Sequence, residues 1–329
     1  MLKRLRIDPY LLLLAGTVAL AAVLPARGVG ATVAEVLTNA AIFLLFFLYG
    51  ARLAPRAVLT GFAHWRLQAS ILLTSFVVFP ILGLGLQAIV GGHLPAPLVT
   101  GLVFVCLLPS TVQSSIAFTS IARGNVPAAL CAASASNLAG VVLTPLLVGF
   151  VLHAQGGFSL KALQDIALQL LLPFVLGQIA RPVIGAFLQR HKVLTSYVDR
   201  GSILLVVYSA FSAGMVAGVW SHVDAIDLGI VIGLDVLLLG IVLVATTLAS
   251  RAIGFSVEDE IAVVFCGSKK SMASGIPMAN ILFPASAVGL VVVPLMLFHQ
   301  IQLFACAFLA QRYGARAERT EEALAKAVS

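Results

Sequence analysis

Ten apolar stretches run the length of this chain, and nothing else in it limits the possible folds so sharply. They cover residues 9–26, 33–53, 67–90, 97–122, 126–152, 162–183, 201–220, 226–250, 258–283 and 286–311. About 20 consecutive apolar residues cross the hydrocarbon core of a bilayer as a helix. Lipid offers the backbone no water, so each N–H and C=O must bond within its own segment, and a helix achieves this. The loops between stretches are short, as at Gly91-Gly92-His93 and Gly156-Gly157, and hold no water-soluble domain. With 60% hydrophobic and 10% charged residues, the chain lacks the polar surface to cover a soluble globule of 329 residues. The composition points to an all-α polytopic membrane protein. The first stretch follows Lys3, Arg4 and Arg6 as a signal peptide would; retained as a helix, it leaves two sets of five.

Two stretches carry an interruption. One reads Pro109-Ser110-Thr111-Val112-Gln113-Ser114-Ser115, and the other Cys266-Gly267-Ser268-Lys269-Lys270-Ser271-Met272-Ala273-Ser274-Gly275-Ile276-Pro277. Proline breaks a helix, and polar groups at mid-membrane depth persist only where they line a cavity or are buried in protein. Each interruption falls in the fourth stretch of its set of five. Interrupted spans in corresponding positions of two halves mark the binding site of a secondary transporter. An odd number of spans per half also forces the second half to insert upside down relative to the first. Parity thus predicts an inverted repeat, with boundaries at 1–152 and 153–311 and a charged tail at 312–329.

The formal net charge of +7 does not indicate a nucleic-acid partner, because the basic residues are dispersed over loops and ends. Counted with the N-terminus inside, sixteen of the twenty Lys and Arg lie on the cytoplasmic side and only Arg27 and Lys161 outside. That bias is the positive-inside signature, and it places both termini in the cytoplasm of a bacterial inner membrane. The remaining two, Lys269 and Lys270, belong to no loop. Four cysteines, all inside apolar stretches and without CxxC spacing, read as buried small hydrophobes.

The polar groups inside the stretches are the candidate site. Thr111, Gln113, Lys269, Lys270, Ser271 and His299 are expected to line a crevice for a small organic anion. The hydroxyl and amide oxygens of Ser114, Ser115, Ser134 and Asn137 suit a small hard cation, sodium at one site, while Asn137 serves equally as interhelical glue. Asp235, the one carboxylate well inside an apolar stretch, is the expected partner of Lys270, either as a static ion pair or in coupling. Gln300 and Gln302 read as interhelical hydrogen-bonding groups. No HExxH, GxSxG or catalytic carboxylate pair is present, so the chain is not read as an enzyme, and no cofactor is expected beyond that sodium.

The polar break at 109–115, then Ala122-Arg123-Gly124-Asn125 and Thr144-Pro145-Leu146-Leu147, resembles the bile acid:sodium symporter family. Leu45-Phe46-Phe47-Leu48-Tyr49-Gly50-Ala51-Arg52, His64-Trp65-Arg66 and Phe76-Val77-Val78-Phe79-Pro80 look like its less characterised branch of sodium-dependent transporters. The resemblance implies ten transmembrane helices in two inverted five-helix repeats. A panel domain of helices 1, 2, 6 and 7 would move against a core domain of helices 3–5 and 8–10, with broken helices 4 and 9 crossing in the core. It places Ser114 and Ser115 at a first sodium site. At a second site it departs from the family, because Cys266 and Lys270 stand where a Glu and a Gln are expected, and Thr74 or Ser75 where a Gln is. Two unit charges about 4 Å apart repel by roughly 4 kcal/mol at an effective dielectric of 20, so sodium beside a charged Lys270 is disfavoured. The implied arrangement has Lys270 in the cation position and Asp235 balancing it. The expected function is secondary transport of a small organic anion, sodium-coupled. A proton-coupled exchanger or uniporter using Lys270 and Asp235, or a transport-inactive regulatory protein, stays open.

Overall fold

A computed structural model describes residues 9–52, 64–152 and 160–328. The expectations for Lys3, Arg4, Arg6, Arg56 and the Gly156-Gly157 loop lie outside them. Every regular element among the described residues is helical: α1 (Pro9–Val23), α2 (Val29–Arg52), α3 (Trp65–Leu73), a π-helical turn (Thr74–Val78), α4 (Phe79–Val90), α5 (Ala96–Leu107), α6 (Gln113–Ile121), α7 (Val126–Leu152), α8 (Leu160–Arg190), α9 (Lys192–Val216), a short 3₁₀ turn (Val219–His222), α10 (Ala225–Ile253), α11 (Val257–Gly267), α12 (Met272–Leu282) and α13 (Ala285–Val328). Six of these segments are long and apolar enough to cross a membrane, and α1 and α5 hold shorter apolar helices. Large apolar side chains such as Ile89, Phe150 and Val183 lie exposed on the helix surfaces, where lipid rather than water is the compatible neighbour.

The stretches expected at 97–122 and 258–283 are each two helices, interrupted at 108–112 and 268–271. One expectation needs correcting. Residues 184–200, read as a cytoplasmic loop, are almost wholly helical, because α8 continues to Arg190 and α9 starts at Lys192. Charged residues end the membrane-spanning part of a helix without ending the helix. Ala, Leu, Gln and Arg all favour the conformation, and Arg190 in the last turn complements its dipole. His191, at φ −107° and ψ 47°, makes the corner between the two.

Two compact units divide the chain. The first comprises residues 1–53, 159–224 and 276–293, and the second 54–158, 225–275 and 294–329. In the first, α2 and α8 approach so closely that glycine is required on both. A Cβ on Gly50 would overlap the Phe174 carbonyl, and one on Gly177 the Phe47 carbonyl. That proximity lets Gln178 Nε2 donate to the Gly50 carbonyl at 2.8 Å. Arg52 closes the same unit by donating to both carboxylate oxygens of Asp199, at 2.7 and 2.6 Å. Gly177→Ala is expected to lower stability by about 1–3 kcal/mol, since a backbone oxygen must move to admit the methyl group. Thermal unfolding of the detergent-purified protein measures it, and an unchanged midpoint would contradict the packing described.

The second unit holds both interruptions, at 108–112 and 268–271. Ser256 caps α11, its hydroxyl accepting the Asp259 N–H at 3.2 Å. Asn125 caps α7, accepting the Ala128 N–H at 3.0 Å while its amide donates to Asp259 at 2.7 Å. Glu260 accepts from Arg251 Nε and Nη2, at 2.9 and 3.1 Å, and from the Tyr313 hydroxyl at 2.8 Å, which ties α10, α11 and α13 together at one end. Ser256→Ala is expected to cost about 1 kcal/mol of stability by uncapping α11, read as a lowered thermal midpoint.

Candidate functional site: two broken helices that meet

Pro109 determines the first break. A proline ring disfavours the helical conformation in the residue before it, and Leu108 is extended at φ −83° and ψ 156°. A helix that ends inside protein leaves its last carbonyls without partners, and those groups must be satisfied locally. Here side chains from other elements do so. Thr144 donates to the Leu107 carbonyl at 2.8 Å, and the Lys270 ammonium to those of Cys106 at 3.2 Å and Leu108 at 2.7 Å. The end of α11 mirrors this arrangement. Ser268 covers the Val264 carbonyl at 2.6 Å, Ser115 that of Phe265 at 2.9 Å and Ser110 that of Cys266 at 2.5 Å. The two breaks also bond main chain to main chain, Ser271 N–H donating to the Pro109 carbonyl at 2.9 Å. Each break thus supplies the donors that the other lacks.

Surrounding helices hold this crossing in place. Ser136 of α7 accepts the Ser110 N–H at 3.0 Å, and Asn137 Nδ2 donates to the Ser110 carbonyl at 2.6 Å. Asn137 Oδ1 in turn accepts from Ser274 of α12 at 2.9 Å. Gln302 of α13 clasps the unwound peptide at Lys270, accepting its N–H and donating to its carbonyl, both at 2.9 Å. The other Gln302 amide hydrogen reaches His299 Nδ1 at 2.9 Å, so that nitrogen is the acceptor and the ring carries its proton on Nε2. Gly140 lets α7 lie against the Pro109 ring.

Lys270 is fully buried, and its ammonium has three acceptors, the Ser75 carbonyl at 2.9 Å being the third, with the Phe79 ring face 3.9 Å away. The Ser75 carbonyl is free for a reason legible in the chain. In the π-helical turn Phe79 N–H bonds to Thr74, and the next donor in register would come from Pro80, which has none. Lys269 is equally buried and finds no hydrogen-bond acceptor; its ammonium lies 4.0 Å from the Phe118 ring and 5.5 Å from that of Phe265.

The candidate residues separate into groups. Gln113 is exposed and Thr111 half-buried, and Ser114 donates to Thr111 at 3.3 Å. Lys269 and Lys270 line no open crevice, because an ammonium withdrawn from water turns to carbonyls or ring faces. Ser271 is 4% exposed and caps α12 by accepting the Ser274 N–H at 3.2 Å. His299 stands behind Gln302. Among the expected cation ligands, Ser115 donates to Phe265 and Asn137 bonds Ser110 and Ser274, so these two face different partners, and Ser134 is half-buried. The expected contact between Asp235 and Lys270 is not made. Asp235 is fully buried with no donor on either oxygen, because three main-chain carbonyls take all the ammonium protons. Sequence reasoning undervalued Gln302 and missed Thr144 and the three carbonyls. For these, only Pro80 left a signal.

Comparison with known proteins points to a transporter. The chain is 53% identical to an uncharacterized protein of Pseudomonas aeruginosa, over 98% of this chain and 97% of that one. It is 49% identical to the Escherichia coli K12 protein named "Putative symporter YfeH", over 96% and 95%. It is 27% identical to the sodium/bile acid cotransporter 7-A of Xenopus laevis, over 92% and 90%. Residues 8–315 match the model of one family, and the protein described here, an integral multi-pass membrane protein, belongs to it: the SBF-like CPA transporter family.

Proposed function

We propose that this protein is a secondary active transporter that carries a small organic anion by alternating access at the crossing of its two broken helices. The observation that supports the reading best is the bond from Ser271 N–H to the Pro109 carbonyl, which joins two unwound segments inside apolar helices. Unwound backbone at that depth is tolerated where it serves a solute or is enclosed by protein. No side chain caps α6 at Val112, so its positive end faces Thr111 and Gln113, where an anion is favoured. In this reading the ten stretches are ten transmembrane helices in inverted repeats of five. The grouping of stretches 1, 2, 6 and 7 apart from 3–5 and 8 is the one that such repeats generate, as panel and core. The N- and C-termini are cytoplasmic in an inner membrane, and Ser114, Ser115, Ser134 and Asn137 are the first position for a coupling sodium.

Protein reconstituted in liposomes tests this. Uptake of a labelled organic anion should rise severalfold under an inward sodium gradient and fall in Gln113→Ala. Absence of flux across a broad anion panel, with or without ion gradients, would leave a regulatory membrane protein as the better account. Uptake driven by a pH gradient and indifferent to sodium would favour proton coupling, the second reading that the unpartnered Asp235 supports.

A further inference from the structure

Around the end of α2, the helices α8 and α9 form a corner that lies wholly within the first unit. Leu188 packs with Leu48 and Ala51, Ile184 and Val198 join them, and Asp199 is held by Arg52, the last residue of α2. The outer side of this corner is apolar and basic at once. On α8 the exposed side chains Leu172, Val175, Ile179, Val183 and Phe187 follow one another at three or four residues, so a single stripe runs along the membrane-spanning part to the corner. Arg190 and His191, three and four residues after Phe187, take the next places on it, and both are exposed. The His191 ring stacks on Phe187 at 4.1 Å and its Nδ1 donates to the Phe187 carbonyl at 2.9 Å, which fixes this end of the stripe. On α9, Val193 and Tyr197 are exposed as well, and the exposed Arg200 lies over the Tyr10 ring at 5.2 Å.

Charge at the corner is unbalanced. Residues 181–200 hold Arg181, Arg190, Lys192 and Arg200 against a single carboxylate, Asp199, and Arg52 occupies both of its oxygens. The missing neutraliser is an anion. A soluble anion would meet the arginines and leave the stripe uncovered, while a second apolar surface would cover the stripe and leave the charge. An anionic phospholipid meets both, because its acyl chain suits a lipid-facing stripe and its phosphate suits the basic end where that stripe stops.

We propose that the α8–α9 corner is a binding site for an anionic phospholipid, with an acyl chain along Ile179, Val183 and Phe187 and the phosphate at Arg190, Arg200 adding to the attraction. Such a lipid tethers the first unit to one leaflet. The site uses no residue of the crossing and is independent of the transport reading.

The test titrates the full chain, purified in a neutral detergent, with phosphatidylglycerol or with phosphatidylcholine of the same acyl chains, and reads bound lipid by native mass spectrometry. Wild type should hold phosphatidylglycerol about tenfold or more tighter than phosphatidylcholine. Arg190→Gln should weaken phosphatidylglycerol binding about fivefold, and Arg190→Gln combined with Arg200→Gln about 25-fold, at roughly a factor of five per basic side chain. Arg27→Gln, exposed at the other end of α2, should change nothing. Val183→Ser should weaken both lipids. Equal binding of the two lipids by wild type would overturn the proposal, as would an Arg190→Gln protein that binds like wild type. Complete displacement of the lipid by millimolar inorganic phosphate would overturn it too, making this a site for a free anion. So would a dimer that Val183→Ser dissociates with no change in lipid count, since a second copy would then cover the stripe. Should the double variant not fold, Arg190→Gln decides alone. A protein that shows these differences yet carries no anion in liposomes would lose the transport reading and keep the lipid site.

Discussion

Gln302→Leu is expected to be the most damaging single substitution in the crossing, lowering stability by about 2–6 kcal/mol. The figure follows from two buried main-chain groups, the N–H and C=O of Lys270, each losing a partner at about 1–3 kcal/mol. Both bonds are 2.9 Å and both ends are fully buried, so water does not replace the amide. Leucine fills a similar volume, which separates the lost hydrogen bonds from a cavity effect. Gln302→Glu should fall between, since a carboxylate still accepts the Lys270 N–H but offers no hydrogen to its carbonyl or to His299 Nδ1. Thermal unfolding gives the ranking, and hydrogen exchange at the residue 270 amide gives the local effect. A leucine variant within 0.5 kcal/mol of wild type would mean that the clasp does not hold the break.

The second large effect is expected from Gly140→Ala. The added Cβ would lie 2.6 Å from both Cβ and Cγ of Pro109 and 3.0 Å from its Cδ, well inside contact distance. A proline ring cannot turn aside, so the main chain of the break must shift, at a cost of about 1–3 kcal/mol. The shift falls on the segment whose carbonyl accepts Ser271 N–H and whose next residue bonds Ser136 and Asn137. Transport should therefore suffer more than stability does. Gly233→Ala on α10 is the control, since nothing lies within 4 Å of its added Cβ. There alanine should stabilise by about 0.5–1 kcal/mol through helix propensity. Equal effects from the two substitutions would mean that contact with Pro109 is unimportant.

The amide of Gln302 is legible in the amino-acid sequence as an interhelical hydrogen-bonding group, but its partner is not, and neither is the contact of Gly140 with Pro109. Membrane embedding, all-helical structure and the positions of both breaks could be read directly, because they rest on local physics. An apolar stretch must bond its own backbone, and Pro109 biases Leu108 away from the helical conformation. The helical continuation through residues 184–200 escaped notice because charge marks the edge of a bilayer and not the end of a helix.

The partners of the buried lysines were decided only in three dimensions. From the chain, Asp235 was the natural counter-charge for Lys270, since opposite charges are the only pairing that residue types announce. In the folded protein three carbonyls stand closer, and a carbonyl belongs to every residue alike, so no alphabet of side chains could single out those of Ser75, Cys106 and Leu108. The amino-acid sequence by itself determined where helices must break and that charge would lie inside them. Tertiary structure alone decided which main-chain groups the breaks expose to one another, because that depends on how separate helices cross and not on what any one of them contains.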